Sequence, residues 1–175
     1  MHPAHTHAGT DGEWVKLVFE SDPGKALDWG KRSEIDWGGG RVGYGYTVES
    51  RETSMAGSFK FRLDGKSLSF IRDHGLGLEI HGGGVLVEGN TVSLHHFPEC
   101  DVHQCGSSFV KNEDGSLSPE NAAHLVLGWG TVTRDGDHEK SVDDQSMGLT
   151  LVPTSGSSAR VVMNAMKGMR YVLCV

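Results

Sequence analysis

Between Gly89 and Gly106 the chain reads GNTVSLHHFPECDVHQCG, a short stretch that gathers His95, His96, Glu99, Cys100, Asp101, His103 and Cys105. Three chemistries suit these residue types. Cys100, His103 and Cys105 together with His95, or with His96 in its place, offer two thiolates and two imidazoles, a donor set that fits tetrahedral zinc, although Cys-x-x-His-x-Cys is not a standard zinc spacing. A metal-free acid/base site would use His96, Glu99 and His103, because an imidazole titrates near neutral pH and a carboxylate beside it can share its proton. A Cys100–Cys105 disulfide would simply close a short loop, a bridge from either cysteine to Cys174 is the alternative pairing, and an exposed polar loop would carry no site at all.

The elements that must hold these residues can be read from the flanking pattern. VLVEGNTVSLHHF alternates, with a turn at Gly89-Asn90. A strand here puts Val92 and Leu94 on one face and Thr91, Ser93 and His95 on the other. The strand is expected to stop at Pro98, which leaves PECDVHQCG as a loop.

A second candidate lies upstream. Asp28-Trp29-Gly30 recurs as Asp36-Trp37-Gly38, followed by a glycine-rich run containing Tyr44 and Tyr46. The two tyrosines share a face if the segment is a strand. One reading is a glycine-rich hairpin whose aromatics pack in the core. The other is a platform of Trp29, Trp37, Tyr44 and Tyr46 on which a sugar or small ring could stack.

The chain also repeats itself. SFKFRLDGKSLS at 58–69 matches SFVKNEDGSLS at 108–118, with Phe59 to Phe109 and Gly65 to Gly115 both at an offset of 50. GLGLEIHGG at 75–83 then aligns with HLVLGWGT at 124–131. A fainter copy precedes them at 14–30, and a degenerate one follows at 148–162. Each unit is an apolar strand, a turn, a short strand and an L-x-L strand, and no such unit can bury its apolar face alone. The pattern resembles the repeat of ricin-type trefoil lectins, which implies a β-trefoil fold. The Gln-x-Trp signature of that family is absent, so its sugar-binding residues do not carry over. The fold expected is therefore all-β: one domain of short strands with weak internal repeats over residues 13–175, trefoil-like, with a closed β-barrel or β-sandwich as the alternative.

Residues 1–12 form a polar tail with His2, His5 and His7. His5-x-His7 followed by Glu13 resembles the first metal motif of cupins, in which two histidines one residue apart point the same way from a strand. The cupin pattern needs strand sequence before that motif, and none precedes it here. Towards the other end, PENAA at 119–123 could make one helical turn. Ser157 to Lys167 could form a short helix capped by Ser157 or Ser158 and stopped by Gly168.

Composition limits the partners. The 175 residues carry a net charge of -7 and no cluster of Lys and Arg, which argues against nucleic acid and anionic membrane surfaces as partners. No apolar run has the length of a signal core or a membrane span, and the chain reads as cytoplasmic. Three cysteines do not make a disulfide scaffold. Phosphate loops, G-x-S-x-G, H-E-x-x-H and dinucleotide fingerprints are missing from the sequence.

Two functions are expected to compete. The first is binding of a sugar or other small ligand by an all-β module through the aromatic segment. The second is a small β-barrel enzyme, an isomerase, cyclase or hydrolase, working through the His/Glu cluster with or without zinc. A structural protein with a stapled loop is the third.

Overall fold

The structure is a computed structural model and describes residues 14–36, 39–40, 42–53, 61–64, 67–70, 73–81, 85–96, 107–155 and 159–165. It is all-β. Eight strands make one sheet: β1 (Trp14–Phe19), β2 (Asp22–Asp36), β3 (Val42–Glu52), β4 (Phe61–Asp64), β5 (Ser67–Phe70), β6 (Asp73–Ile80), β7 (Val92–His96) and β14 (Val161–Ala165). Their order is β14-β1-β2-β3-β7-β6-β5-β4, and β4 also pairs with β1 through Trp14↔Arg62 and Val15↔Phe61. The sheet therefore curls until its far strand, β4, meets β1 beside β14, a barrel-like arrangement.

Three antiparallel ribbons complete the fold. They are β8 (Phe109–Lys111) with β9 (Leu117–Pro119), β10 (Leu125–Val132) with β13 (Ser146–Pro153), and β11 (Arg134–Asp135) with β12 (His138–Glu139). Val142–Asp144 make a single 3-10 turn. Among the described residues no helix is long and apolar enough to cross a membrane.

The repeat grammar survives at the level of elements. The copies at 58–83 and 108–131 are each a hairpin followed by an L-x-L strand, β4-β5-β6 and β8-β9-β10. Their partners differ, however. The first unit is a contiguous part of the curled sheet, whereas β10 leaves its hairpin to pair with β13 over eight residue pairs. Equal local patterns specify equal hairpins, but which long-range edge each strand meets is not a local property.

Three expectations change. The strands are not all short, since β2 has 15 residues and β3 has 11. The helix expected over Ser157–Lys167 is replaced across Val161–Ala165 by β14, whose β-branched Val161 and Val162 complete the free edge of β1 from Phe19 back to Val15. Residues 119–123 make turns closed by Ala122 N–H to Pro119 O and Leu125 N–H to Ala122 O, not a helix.

The main core is enclosed between the curled sheet and the ribbons, and Val18 and Ala26 form a separate small cluster with Val162. Leu76, Leu78 and Leu94 from the sheet meet Phe109, Leu117, Leu127 and Leu151 from the ribbons, all with no exposed surface. The alternation read across β7 holds: Val92 and Leu94 are buried in this core. The Gly89-Asn90 turn does not join two paired strands, because residues 85–87 form no strand. It ties the entry of β7 to the ribbons instead. Gly89 N–H donates to Leu151 O (3.0 Å), and Gly89 O accepts from Thr133 N–H (3.0 Å) and Arg134 N–H (3.1 Å).

Gly89 has φ +90°, and a Cβ there would run into the Thr133 side chain, lying 3.1 Å from its Cβ. Gly89→Ala is therefore expected to cost at least about 2 kcal/mol, from a disfavoured backbone and a clash at a junction of three elements. Equilibrium urea unfolding would measure it. An unchanged midpoint would show that the junction relaxes freely.

Candidate functional site

The site is organised by one row of residues across the curled sheet. Pairing Ser33↔Gly45, Gly45↔His95, His95↔Gly77 and Gly77↔Ser69 lines up Ser33, Gly45, His95, Gly77 and Ser69 on five adjacent strands. Directly paired residues share a face. His95 is thus flanked by a glycine on each neighbouring strand, and glycine within a strand leaves room for something to approach the backbone closely. The neighbouring row places Glu79 opposite Ser93 on the same face. The apolar residues of these strands, Leu76, Leu78 and Leu94, occupy the opposite, core face.

This polar face carries a cavity of about 330 Å³, lined by His81, Ser93 and His95 with Ser33, Gly45, Tyr46, Thr47 and Thr91. Its histidines are linked. His81 Nε2 lies 2.9 Å from His95 Nε2 and 2.7 Å from Ser93 Oγ, while His81 Nδ1 lies 2.8 Å from Asp135 Oδ1. The two imidazole rings are 4.7 Å apart at 60°. Because a carboxylate can only accept, the network assigns the Nδ1–H of His81 to Asp135 and leaves Nε2 of neutral His81 as an acceptor. That lone pair faces both the Ser93 hydroxyl and His95 Nε2.

The frame holding these groups is polar and hydrogen-bonded. His81 N–H donates to Thr91 O (2.9 Å), and Asn90 Nδ2 donates to His81 O (2.7 Å) and Val85 O (3.2 Å). Asn90 is fully buried, and its Oδ1 accepts from Val87 N–H. Thr91 N–H (3.0 Å) and Oγ1 (2.5 Å) both donate to Arg134 O, which fixes the β11–β12 hairpin so that Asp135 reaches back to His81.

Burial sets the charges. His95 is 7% exposed, and desolvation, aided by the neighbouring His81, lowers its pKa to about 4 against a small opposing pull from Asp135. His95 is therefore neutral at pH 7. Desolvation raises the Glu79 pKa to about 6, although Ser107 donates to Glu79 Oε2 from its backbone N–H (2.8 Å) and its hydroxyl (3.1 Å). One face of one sheet thus holds a neutral imidazole, a carboxyl that ionises near neutrality, and a carboxylate-oriented histidine against a serine.

The residues expected from sequence fall on two faces. His95 is in the cavity. His96, next along the strand, lies on the core face, stacked on Tyr44 (4.6 Å, 8°). Tyr44 meets Tyr46 edge-on (6.1 Å, 88°), Tyr46 stacks on Trp29 (4.9 Å, 27°), and the Arg32 guanidinium lies 4.8 Å over Tyr44. Trp29, Tyr44 and Tyr46 are all half-buried against the core. The three aromatics pack on one another, with His96 as the next member of the stack, and Tyr46 also lines the cavity beside His95. Trp37, Glu99, Cys100, His103 and Cys105 lie outside the described residues, as do His5 and His7. Among the described residues no group of three or more His, Cys, Asp and Glu side chains could hold a metal ion.

Sequence reasoning missed His81, Glu79 and Asp135 and gave Ser93 no role. The signal for His81 and Glu79 was present: GLGLEIH continues the period-two pattern past Ile80, which puts both on the polar face. For Asp135 no local signal exists, because its partner is 54 residues away.

A second cavity, about 440 Å³, is lined by Glu88, Thr133, Arg134, Glu139, Lys140 and Gln145 among others. Its charges are paired in number and it contains no histidine or serine. No family model matches the chain, and no curated protein or solved structure matches it either.

Proposed function

We propose that this protein binds a small polar ligand in the cavity over His95 and performs acid/base chemistry on it. The observation that carries this reading is the chain Asp135–His81, with His81 Nε2 turned to both Ser93 and His95 at the cavity wall. A carboxylate that fixes a tautomer, an imidazole whose lone pair points at a hydroxyl, and a cavity beside that hydroxyl are the parts a general base needs. Neutral His95 adds a proton donor that stays uncharged at pH 7, and the volume of the cavity is that of a small-molecule site. Placing acid/base groups of differing proton affinity together on one face is how one site can both give and take protons.

The other reading is a binding module for a sugar or small ring. The stack of Trp29, Tyr46, Tyr44 and His96 under Arg32 supports it, but these rings already spend contact surface on each other and on the core. On architecture, the shared hairpin-then-strand grammar supports a trefoil-like grouping of the repeat units. The circuit of strand pairings supports a barrel.

A panel of small hydroxy-carbonyl compounds, esters and monosaccharides, followed by NMR of the imidazole and indole resonances, tests the choice. Ligands are expected to move His81 and His95 and to leave exposed His138 in place. Shifts confined to Trp29, Tyr44 and His96 would overturn the acid/base reading in favour of the binding module.

A further inference from the structure

We infer that Ser93 is a nucleophile and that the site is built for acyl transfer from small esters, a step that rests on the acid/base reading above. The geometry is that of nucleophile, base and orienting carboxylate in line across one ring: Ser93 Oγ is 2.7 Å from His81 Nε2, and Asp135 Oδ1 is 2.8 Å from His81 Nδ1. Such a constellation is recognised by its geometry and roles and recurs on unrelated folds. Ser93 is held by its strand, with Leu94 beside it locked in the core and Glu79 paired across from it. It lines the cavity together with His95.

The chemistry balances with these groups and water alone. His81 Nε2 takes the Ser93 hydroxyl proton as Oγ bonds to the ester carbonyl carbon, whose π electrons move onto oxygen. Collapse of the adduct breaks the bond to the alkoxy group, which takes the proton from His81 and leaves as an alcohol. Water then gives its proton to His81, and its oxygen attacks the acyl carbon. Ser93 Oγ leaves with the returned proton, and a carboxylic acid is released. His95 has a part in both halves. In the resting site its Nε2–H faces the His81 lone pair at 2.9 Å. When His81 Nε2 becomes protonated, that acceptor vanishes and the His95 N–H is released just as the oxyanion forms beside it. A donor satisfied elsewhere in the ground state and freed in the transition state contributes to rate and not to substrate affinity. The cavity of about 330 Å³ has room for a small acyl or aryl ester.

The test uses the full chain and two probes, diisopropyl fluorophosphate with peptide mapping and 4-nitrophenyl acetate with stopped-flow detection. A single adduct on Ser93 is expected, absent in Ser93→Ala and formed about 100-fold more slowly in His81→Gln, together with a stoichiometric burst of nitrophenol. Circular dichroism and urea unfolding confirm that the variants are folded, and adduct mapping on the unaltered chain does not depend on them. No adduct on Ser93, or an adduct that forms as fast in His81→Gln, overturns the nucleophile. Ester turnover that persists in Ser93→Ala while ligands still move the His81 and His95 resonances also removes the nucleophile but keeps the acid/base reading. Loss of both the adduct and those shifts removes the two together.

Discussion

Asp135→Asn is expected to slow acylation of Ser93 on the order of 100-fold while leaving KM and thermal stability nearly unchanged. The carboxylate accepts the Nδ1–H of His81 at 2.8 Å, and this keeps Nε2 free to take a proton. The isosteric amide can turn its NH₂ towards Nδ1. His81 would then carry its proton on Nε2, where it cannot act as a base towards Ser93. Replacing the corresponding buried carboxylate in serine proteases costs about 10⁴. Asp135 is 62% exposed in its side chain, so water competes for the same position and the smaller figure applies. The same exposure keeps the effect on stability small.

Two further results separate a positioning role from a structural one. Asp135→Ala should be less damaging than Asp135→Asn, because water can accept the Nδ1–H where an amide can reverse it. Nitrogen-15 shifts of His81 should report a bare Nε2 in the native chain and a protonated Nε2 in Asp135→Asn. Equal rates for the two variants, or an unchanged His81 tautomer, would rule out orientation by Asp135.

What could be read from the sequence depended on range. The period-two pattern through TVSLHH placed Val92 and Leu94 in the core and Ser93 and His95 on the other face, and the structure agrees because that pattern is local and obligatory in a strand. The same rule separates His95 from His96, so adjacent histidines were never able to serve one site. The DWG at 28–30 also has a local cause. Gly30 sits where the β2–β3 register slips between Trp29 and Arg32, and a side chain there would enter Thr47 and Glu49. Asp28 is buried with its Oδ2 3.1 Å from Arg51 Nε. Asp135 was out of reach for a different reason. TVTRDGDHEK reads as a polar surface loop, which by exposure it nearly is, and only the Thr91–Arg134 bonds decide that its tip lands on His81. Gly45 reads as part of a glycine-rich hairpin and Gly77 as the middle of an L-x-L strand, and their role as the walls around His95 exists only in the five-strand register.

Stability between pH 7 and pH 4 is expected to change little in the native chain and steeply in Glu79→Gln, because two groups on the polar face oppose each other. His95 has its folded pKa lowered from 6.5 to about 4. The unfolded chain therefore binds the proton first, and the contribution of neutral His95, fully present above pH 6.5, is lost as the pH falls towards 4, up to about 3 kcal/mol. Glu79 has its folded pKa raised from 4.5 to about 6. Here the folded state binds the proton first, so its contribution is fully present below pH 4.5 and lost as the pH rises through 6, about 2 kcal/mol. Acidification thus removes stability at His95 and restores most of it at Glu79. Glu79→Gln deletes the restoring half, since an amide keeps the bonds from Ser107 but does not titrate. Its unfolding free energy from urea titration should exceed that of the native chain at pH 7 and then fall by about 3 kcal/mol on the way to pH 4, against about 1 kcal/mol for the native chain. His95→Gln should do the reverse and gain stability with acid. Parallel curves for Glu79→Gln and the native chain would show that the carboxyl is solvated and ionised normally. The polar face would then lack the buried, low-dielectric character on which a neutral His95 and its role as donor depend.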